Sequence, residues 1–217
     1  MKIIGHRGAR GLAPENTLVS LKKAIEHKAD QIEIDVRVTK DGVPILQHDT
    51  KLADQSGNNL SIAGHTYESL KARKSDLATL AEALEFINGR VPIYVEVKKK
   101  VYIAPVVEVL SKYKHPFMLA SKSQKTLLEL HQAMPKIAKL VIEPWSGVRA
   151  AYRAKQVDTN LLAMNQLFLW SGFISATNHR SYDLYAYTLN DPRKARRWAK
   201  HGLAGVITDF PDRFVNH

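Results

Sequence analysis

A chain of 217 residues with 45% hydrophobic and 24% charged side chains can bury one full core and is neither disordered nor fibrous. It contains no cysteine, which excludes a disulfide scaffold and thiolate-bound zinc and suits a reducing compartment. The formal net charge of +11 draws anions, whether nucleic acid, an anionic membrane surface or phosphate-bearing small molecules.

No apolar run is long enough for a signal peptide or a membrane span, so a cytoplasmic location is expected. Short β-rich runs at 2–6, 31–36, 91–97, 117–121, 139–144, 160–164, 184–189 and 205–209 alternate with segments of helical apolar spacing. Leu18, Leu21 and Ile25 mark the first helix, with Asn16 or Thr17 able to cap it. Leu80-Leu84-Ile87, Val106-Val107-Leu110, Leu127-Leu128-His131 and Ala195-Trp198-Ala199 mark others. Asp191-Pro192 places a cap and a first-turn proline before the last of these, whose Arg193-Lys194-Ala195-Arg196-Arg197 run reads as a solvated outer face.

Strand, helix, strand in repetition predicts parallel pairing and right-handed crossovers. Eight such strands predict an α/β fold of the TIM-type (β/α)8 barrel, with an open doubly wound sheet as the alternative. No linker or low-complexity tract interrupts the chain, and a single domain over 1–217 is expected. One break in the alternation is a hairpin: Asp41-Gly42 separates the second strand from Val43-Pro44-Ile45-Leu46. A turn centred there pairs His48 with a position close to Asp35 and returns it to the rim.

Active sites of parallel barrels lie at the carboxyl ends of the strands. Read in order, those ends offer His6, Glu33 and Asp35, Glu96 with Lys98, Ser121, Glu143 and Asp209. Glu33 and Asp35 share a strand face, as do Glu96 and Lys98. Barrel strands are covered on both sides, so these charges cannot simply face solvent. Three carboxylates at one rim repel one another unless a cation neutralises them, and oxygen ligands favour a hard ion, Mg²⁺ or Ca²⁺. His6, beside Arg7 and Gly8 at a strand end, is a better catalytic candidate than His27, His65, His115, His131, His179, His201 or His217, which fall in helices or loops.

His6-Arg7-Gly8, Pro14-Glu15-Asn16-Thr17, Glu33-Ile34-Asp35, Thr39-Lys40-Asp41-Gly42, His48-Asp49, Glu96-Val97-Lys98, Thr188-Leu189-Asn190 and Gly205-Val206-Ile207-Thr208-Asp209 together resemble the signature of the glycerophosphodiester phosphodiesterases. The resemblance spans nearly the whole chain. It implies a TIM-like barrel, a divalent cation and release of sn-glycerol 3-phosphate and an alcohol from substrates such as glycerophosphocholine or glycerophosphoethanolamine. It further implies that Glu33, Asp35 and Glu96 hold the metal and that His6 and His48 are the acid and base. Arg7 and Lys98 would clamp the phosphate. Tyr187 stands where the family carries tryptophan and is assigned to substrate binding. The attacking oxygen would be water or the substrate's own glycerol hydroxyl, the latter giving a cyclic phosphate first.

Departures from the family pattern bear on the alcohol moiety. The stretch after Asp49, from Lys51 to Asn59, lacks the usual arginine and paired threonines, and the insertion at about 49–78 is short. The usual Ser-Phe after the fourth strand is Ser121-Lys122. The expected partner is a small-molecule phosphodiester, with an anionic membrane surface as a contact for the basic exterior and no specific nucleic acid. Rival readings are a lysophospholipase D acting on one-chain lipids, a glycosidase using the same carboxylates, and a basic nucleic-acid-binding module without catalysis. The glycosidase leaves His6, His48 and Lys98 without roles. The nucleic-acid module leaves the rim carboxylates unexplained.

Overall fold

The computed structural model describes residues 1–53, 57 and 59–214. Residues 54–56 and 58 of the altered stretch after Asp49, and His217 among the histidines, lie outside the described residues. Along the chain run β1 (Lys2–Gly5), α1 (Leu18–Glu26), β2 (Gln31–Val38), β3 (Pro44–Leu46), β4 (Lys51–Ala53), β5 (Asn59–Ser61), α2 (Tyr67–Lys71) and α3 (Leu80–Ile87). They are followed by β6 (Ile93–Val97), α4 (Ala104–Ser111), β7 (Phe117–Ser121), α5 (Gln124–Ala133), β8 (Lys139–Glu143) and α6 (Gly147–Lys155). The chain continues through β9 (Leu161–Asn165), α7 (Ser171–His179), β10 (Asp183–Tyr187), α8 (Pro192–Ala199) and β11 (Gly205–Thr208).

Eight of the strands are parallel and run β1-β11-β10-β9-β8-β7-β6-β2, and β1 pairs back onto β2. The sheet is therefore closed, a TIM-type barrel rather than an open doubly wound sheet. All eight expected strands are present, with ends no more than two residues from the expected ones. The burial that accompanies closure explains their sequences: β6 and β8 are buried at every position, including Glu96, Lys139 and Glu143.

Local chemistry starts the helices. The Thr17 hydroxyl accepts the Ser20 N–H while Ser20 Oγ accepts the Thr17 N–H, so Thr17 rather than Asn16 caps α1. Asp191 accepts the Arg193 N–H ahead of Pro192 and caps α8, whose Ala195 and Trp198 turn inward while Arg196 and Arg197 stay exposed. Inside the barrel pack Ile4, Tyr94, Leu140, Ile142, Tyr185 and Ile207, and a thicker apolar shell fills the space between strands and helices. Full burial of one such aliphatic side chain contributes roughly 1.5–3 kcal/mol.

The hairpin forms as expected. Gly42 takes φ +84°, β3 runs antiparallel to β2 with Val36 opposite Leu46, and the Gln47 N–H donates to the Asp35 carbonyl at 3.0 Å. His48 thus returns to the level of Asp35. The segment that follows has a small core of its own, Leu52, Ile62, Leu70 and Leu77 packed on Ile45 of the hairpin. Among the described residues no helix is long and apolar enough to cross a membrane.

Candidate active site

The turn after β1 is shaped by two backbone positions. Arg7 sits at φ 51° and Gly8 at φ 83°, and a Cβ on Gly8 would lie 2.4 Å from Ser20 Oγ and 2.5 Å from its carbonyl carbon. Glycine there is a steric requirement. The turn aims the Arg7 N–H at Glu33 Oε2, 2.7 Å away, and lets the Arg7 guanidinium reach Asp35 Oδ2 at 3.1 Å and Glu15 Oε1 at 2.7 Å.

Register brings the acids together. Asp35 on β2 lies directly opposite Glu96 on β6, and Glu33 is two residues back on the same face. One carboxylate oxygen from each of Glu33, Asp35 and Glu96 can be chosen so that all three lie within 4.8 Å of one another, and all three side chains are buried. Lys98 Nζ reaches into this group, 2.5 Å from Asp35 Oδ1 and 2.7 Å from Glu96 Oε1. Asn16 clasps Asp35 from the other side, its Nδ2 donating to Oδ2 at 2.9 Å and its Oδ1 accepting the Asp35 N–H at 3.1 Å.

The charges are unequally compensated. Burial, then repulsion from Asp35 and Glu96, drives the Glu33 carboxyl well above its ordinary range. Burial pushes Asp35 the same way, but Lys98 and then Arg7 overcome it and hold this carboxylate well below its ordinary value. Burial opposes the charge on Lys98, whereas Asp35 and Glu96 raise its pKa above the ordinary value. Two cations among three buried acids leave one acid short. Glu33 Oε1 is buried without a hydrogen-bond partner, an orphan that a cation would satisfy. The donor set is three carboxylates with no sulfur or imidazole among them, which fits a hard divalent ion.

His6, Arg7, Glu33, His48, Glu96 and Tyr187 line a common pocket, with Tyr94 and Ile142 among the groups at its base. His6 Nδ1 bonds Asp209 Oδ1 at 2.7 Å, and Asp209 is steadied by Asn190, whose Nδ2 donates to Oδ2 at 3.0 Å. His48 is half-buried, with Nδ1 2.8 Å from Asp49 Oδ1 and its carbonyl accepting from Arg37 Nε at 2.9 Å. Burial, then the nearby Lys98 ammonium, lowers the His48 pKa below its ordinary value. The Tyr187 hydroxyl is buried without a hydrogen-bond partner in the same pocket. Of the eight residues given catalytic, metal or substrate roles from the sequence, six line this pocket, and Asp35 and Lys98 adjoin it through Glu96.

The sequence pattern offers no site role for Glu15 or Asn190 and marks Asn16 only as a candidate helix cap. It flagged Asp209 only as a rim acid. Glu143, another rim acid, faces elsewhere: Arg149 and Arg153 hold it at 2.6 and 3.3 Å, and Arg153 also donates to the Ile142 and Ser121 carbonyls. It braces α6 against the barrel.

Residues 6–213 match the model of the Glycerophosphoryl diester phosphodiesterase family. The chain is 28% identical over 240 residues to a glycerophosphodiester phosphodiesterase of Bacillus altitudinis, covering 99% of this chain and 96% of that protein. It is 27% identical to a glycerophosphodiester phosphodiesterase of Bacillus subtilis (strain 168), covering 97% of this chain and 84% of that one. Among solved structures, it is similar to an Oleispira antarctica phosphodiesterase in complex with the product sn-glycerol-3-phosphate, with TM-score 0.87, 28% identity, and coverage of 98% and 94% of the two chains. A Thermotoga maritima glycerophosphodiester phosphodiesterase superposes with TM-score 0.85 at 27% identity, covering 99% and 97%. With barrel, pocket and motifs in agreement with these likenesses, the chain belongs to the glycerophosphoryl diester phosphodiesterase family.

Proposed function

We propose that the protein hydrolyses glycerophosphodiesters to sn-glycerol 3-phosphate and an alcohol, with a divalent cation, Mg²⁺ or Ca²⁺, on Glu33, Asp35 and Glu96. The observation that carries this reading is the buried acidic triad with an orphaned Glu33 oxygen, flanked by His6 and His48 in one pocket. A bound dication would supply charge neutralisation at the nonbridging phosphate oxygens. Arg7 and Lys98 add fixed positive charge beside the triad, where the phosphodiester anion and its more highly charged transition state need it.

The two imidazoles divide the proton work. His48, whose pKa burial and then Lys98 hold below its ordinary value, takes the proton from the attacking oxygen. Asp209 engages His6 at Nδ1, which leaves Nε2 to deliver a proton to the departing alkoxide. Tyr187, with its unengaged buried hydroxyl, contacts the substrate beside them. The test couples release of glycerol 3-phosphate to a dehydrogenase, with and without chelator. His6→Ala and His48→Ala should each lose roughly 10²–10⁴-fold in kcat while melting near the wild type. Near-normal turnover in both variants would refute the assignment.

The lack of cysteine suits a reducing compartment and supports a cytoplasmic enzyme. Contact with an anionic membrane surface is supported by the loops after β8 and β9. These loops share the barrel face of the active site and expose Trp145 at 60%, Leu167 at 76% and Trp170 at 62%. Trp145 and Phe168 join the two loops, their ring centroids 6.3 Å apart. Clustered aromatics beside a chain of net charge +11 fit the headgroup region of an anionic bilayer.

A further inference from the structure

The catalytic pocket opens into a larger cavity of about 750 Å³, and His48, Glu96 and Lys122 belong to the walls of both. The larger cavity is cationic: Arg37, Lys51, Lys98, Lys99 and Lys122 line it, against the acids Asp49 and Glu96. Glu96 is paired with Lys98 within the triad, and Asp49, bonded through one oxygen to His48 Nδ1, leaves the five cations in excess. Lys51, Lys99 and Lys122 are exposed and have no carboxylate partner among the described residues. Lys122 Nζ instead sits 5.5 Å from the Tyr187 ring centroid, at the junction of the two spaces. Ser123, the N-cap of the ten-residue helix α5, lines the same wall and adds the positive end of that helix.

A cationic head group would find one exposed carboxylate here, Asp49, against five cations. Among the described residues the cavity walls include no phenylalanine, tyrosine or tryptophan, so they form no aromatic cage for a quaternary ammonium. The unpaired ammonium groups would repel it. An alcohol bearing its own anion meets the opposite situation, since several lysines approach it from different loops. Lys122 also stands where the family pattern leads one to expect phenylalanine.

We propose that this cavity receives the alcohol half of the substrate and selects alcohols carrying a second anionic group, above all a phosphate monoester. Choline and ethanolamine head groups are disfavoured. This inference rests on the phosphodiesterase reading above and names the substrate class of that same site. The selection acts in binding, through Lys51, Lys99 and Lys122, and leaves the bond-breaking step to the triad and the histidines. Screening by salt should weaken it, because the three lysines are solvent-facing.

The experiment compares kcat/KM for three substrates: glycerophosphocholine, glycerophosphoglycerol, and glycerophosphoglycerol with a phosphate monoester on its terminal hydroxyl. The phosphorylated head group should lead glycerophosphocholine by about ten-fold at low salt, mostly in KM, as expected for a few partly screened ion pairs acting together. Raising the salt should shrink the lead. Lys122→Phe and Lys99→Ala should each cut it several-fold, with KM for the phosphorylated substrate rising more than KM for glycerophosphoglycerol. Equal or better use of glycerophosphocholine, or a lead unmoved by both substitutions, would overturn the proposal while the hydrolase reading stands. No turnover of any of the three would overturn the hydrolase reading, and this inference with it.

Discussion

Asp209 Oδ1 stands 2.7 Å from His6 Nδ1, although 203 residues separate the two in the chain. The pairing exists because β1 and β11 are neighbours in register, with Gly5 opposite Thr208. A carboxylate at Nδ1 accepts the ring N–H and so fixes both the tautomer and the ring plane. Asp209→Asn should therefore lower kcat by roughly 10²-fold with little change in KM, because an amide can present a donor to Nδ1 and favour the wrong tautomer. Steady-state kinetics decide it. An unchanged kcat would mean that Asp209 only ties the chain ends together.

The acidic triad predicts a thermal response to metal. Chelator-treated protein should gain about 5–10 °C in melting temperature with Mg²⁺ or Ca²⁺ at saturating concentration, since binding at 100 times Kd adds about 2.7 kcal/mol. Glu33→Gln should lose most of that gain, because it removes the carboxylate with the orphaned oxygen. Differential scanning fluorimetry measures both. A wild type indifferent to either cation, and fully active in chelator, would count against the site.

A pH effect is expected at the opposite end of the barrel. Lys139 begins β8 fully buried, and its Nζ donates to the Met134 carbonyl at 2.6 Å and to the Ile137 carbonyl just past α5. Burial pushes it down from 10.5 to about 8. Between those two pH values the unfolded chain binds a proton that the folded chain does not, so stability from this group rises as pH rises from about 8 towards 10.5. Below that window its burial cost is present in full. Relative to Lys139→Met, the wild type should gain on the order of 1 kcal/mol across the window, allowing for solvent screening. Urea unfolding at both ends of the range would show the gain, and parallel pH profiles would refute it.

Surface binding has its own test. Vesicles of phosphatidylcholine with phosphatidylglycerol should sediment the protein, and pure phosphatidylcholine should do so far less. Replacing Trp145, Leu167 and Trp170 together with serine should reduce anionic-vesicle binding at least ten-fold without affecting turnover of a soluble substrate. Equal sedimentation of wild type and triple variant would remove the aromatic loops from the interaction.

Much of this molecule was legible before any coordinates. Strands and helices follow from side-chain period, an α1 cap at Asn16 or Thr17 from residue type, and the return of His48 from Asp41-Gly42, because each depends on residues within a few positions of one another. The catalytic candidates were legible for a related reason, since polar residues at parallel strand ends have few other uses. Glu143 shows where that logic stops. At the same rim level as Glu96, it is occupied by Arg149 and Arg153, and no local pattern distinguishes the two acids.

The sequence by itself determined the alternation of strand and helix, the hairpin and the inventory of acids and imidazoles, all short-range properties of the chain. Tertiary structure alone decided that Lys98 lies between Asp35 and Glu96, that Asp209 holds His6, that one Glu33 oxygen is left bare, and that five cations share a second cavity. Those facts depend on which strands become neighbours when the barrel closes. Closure is a balance of packing over the whole fold, and no window of sequence contains it.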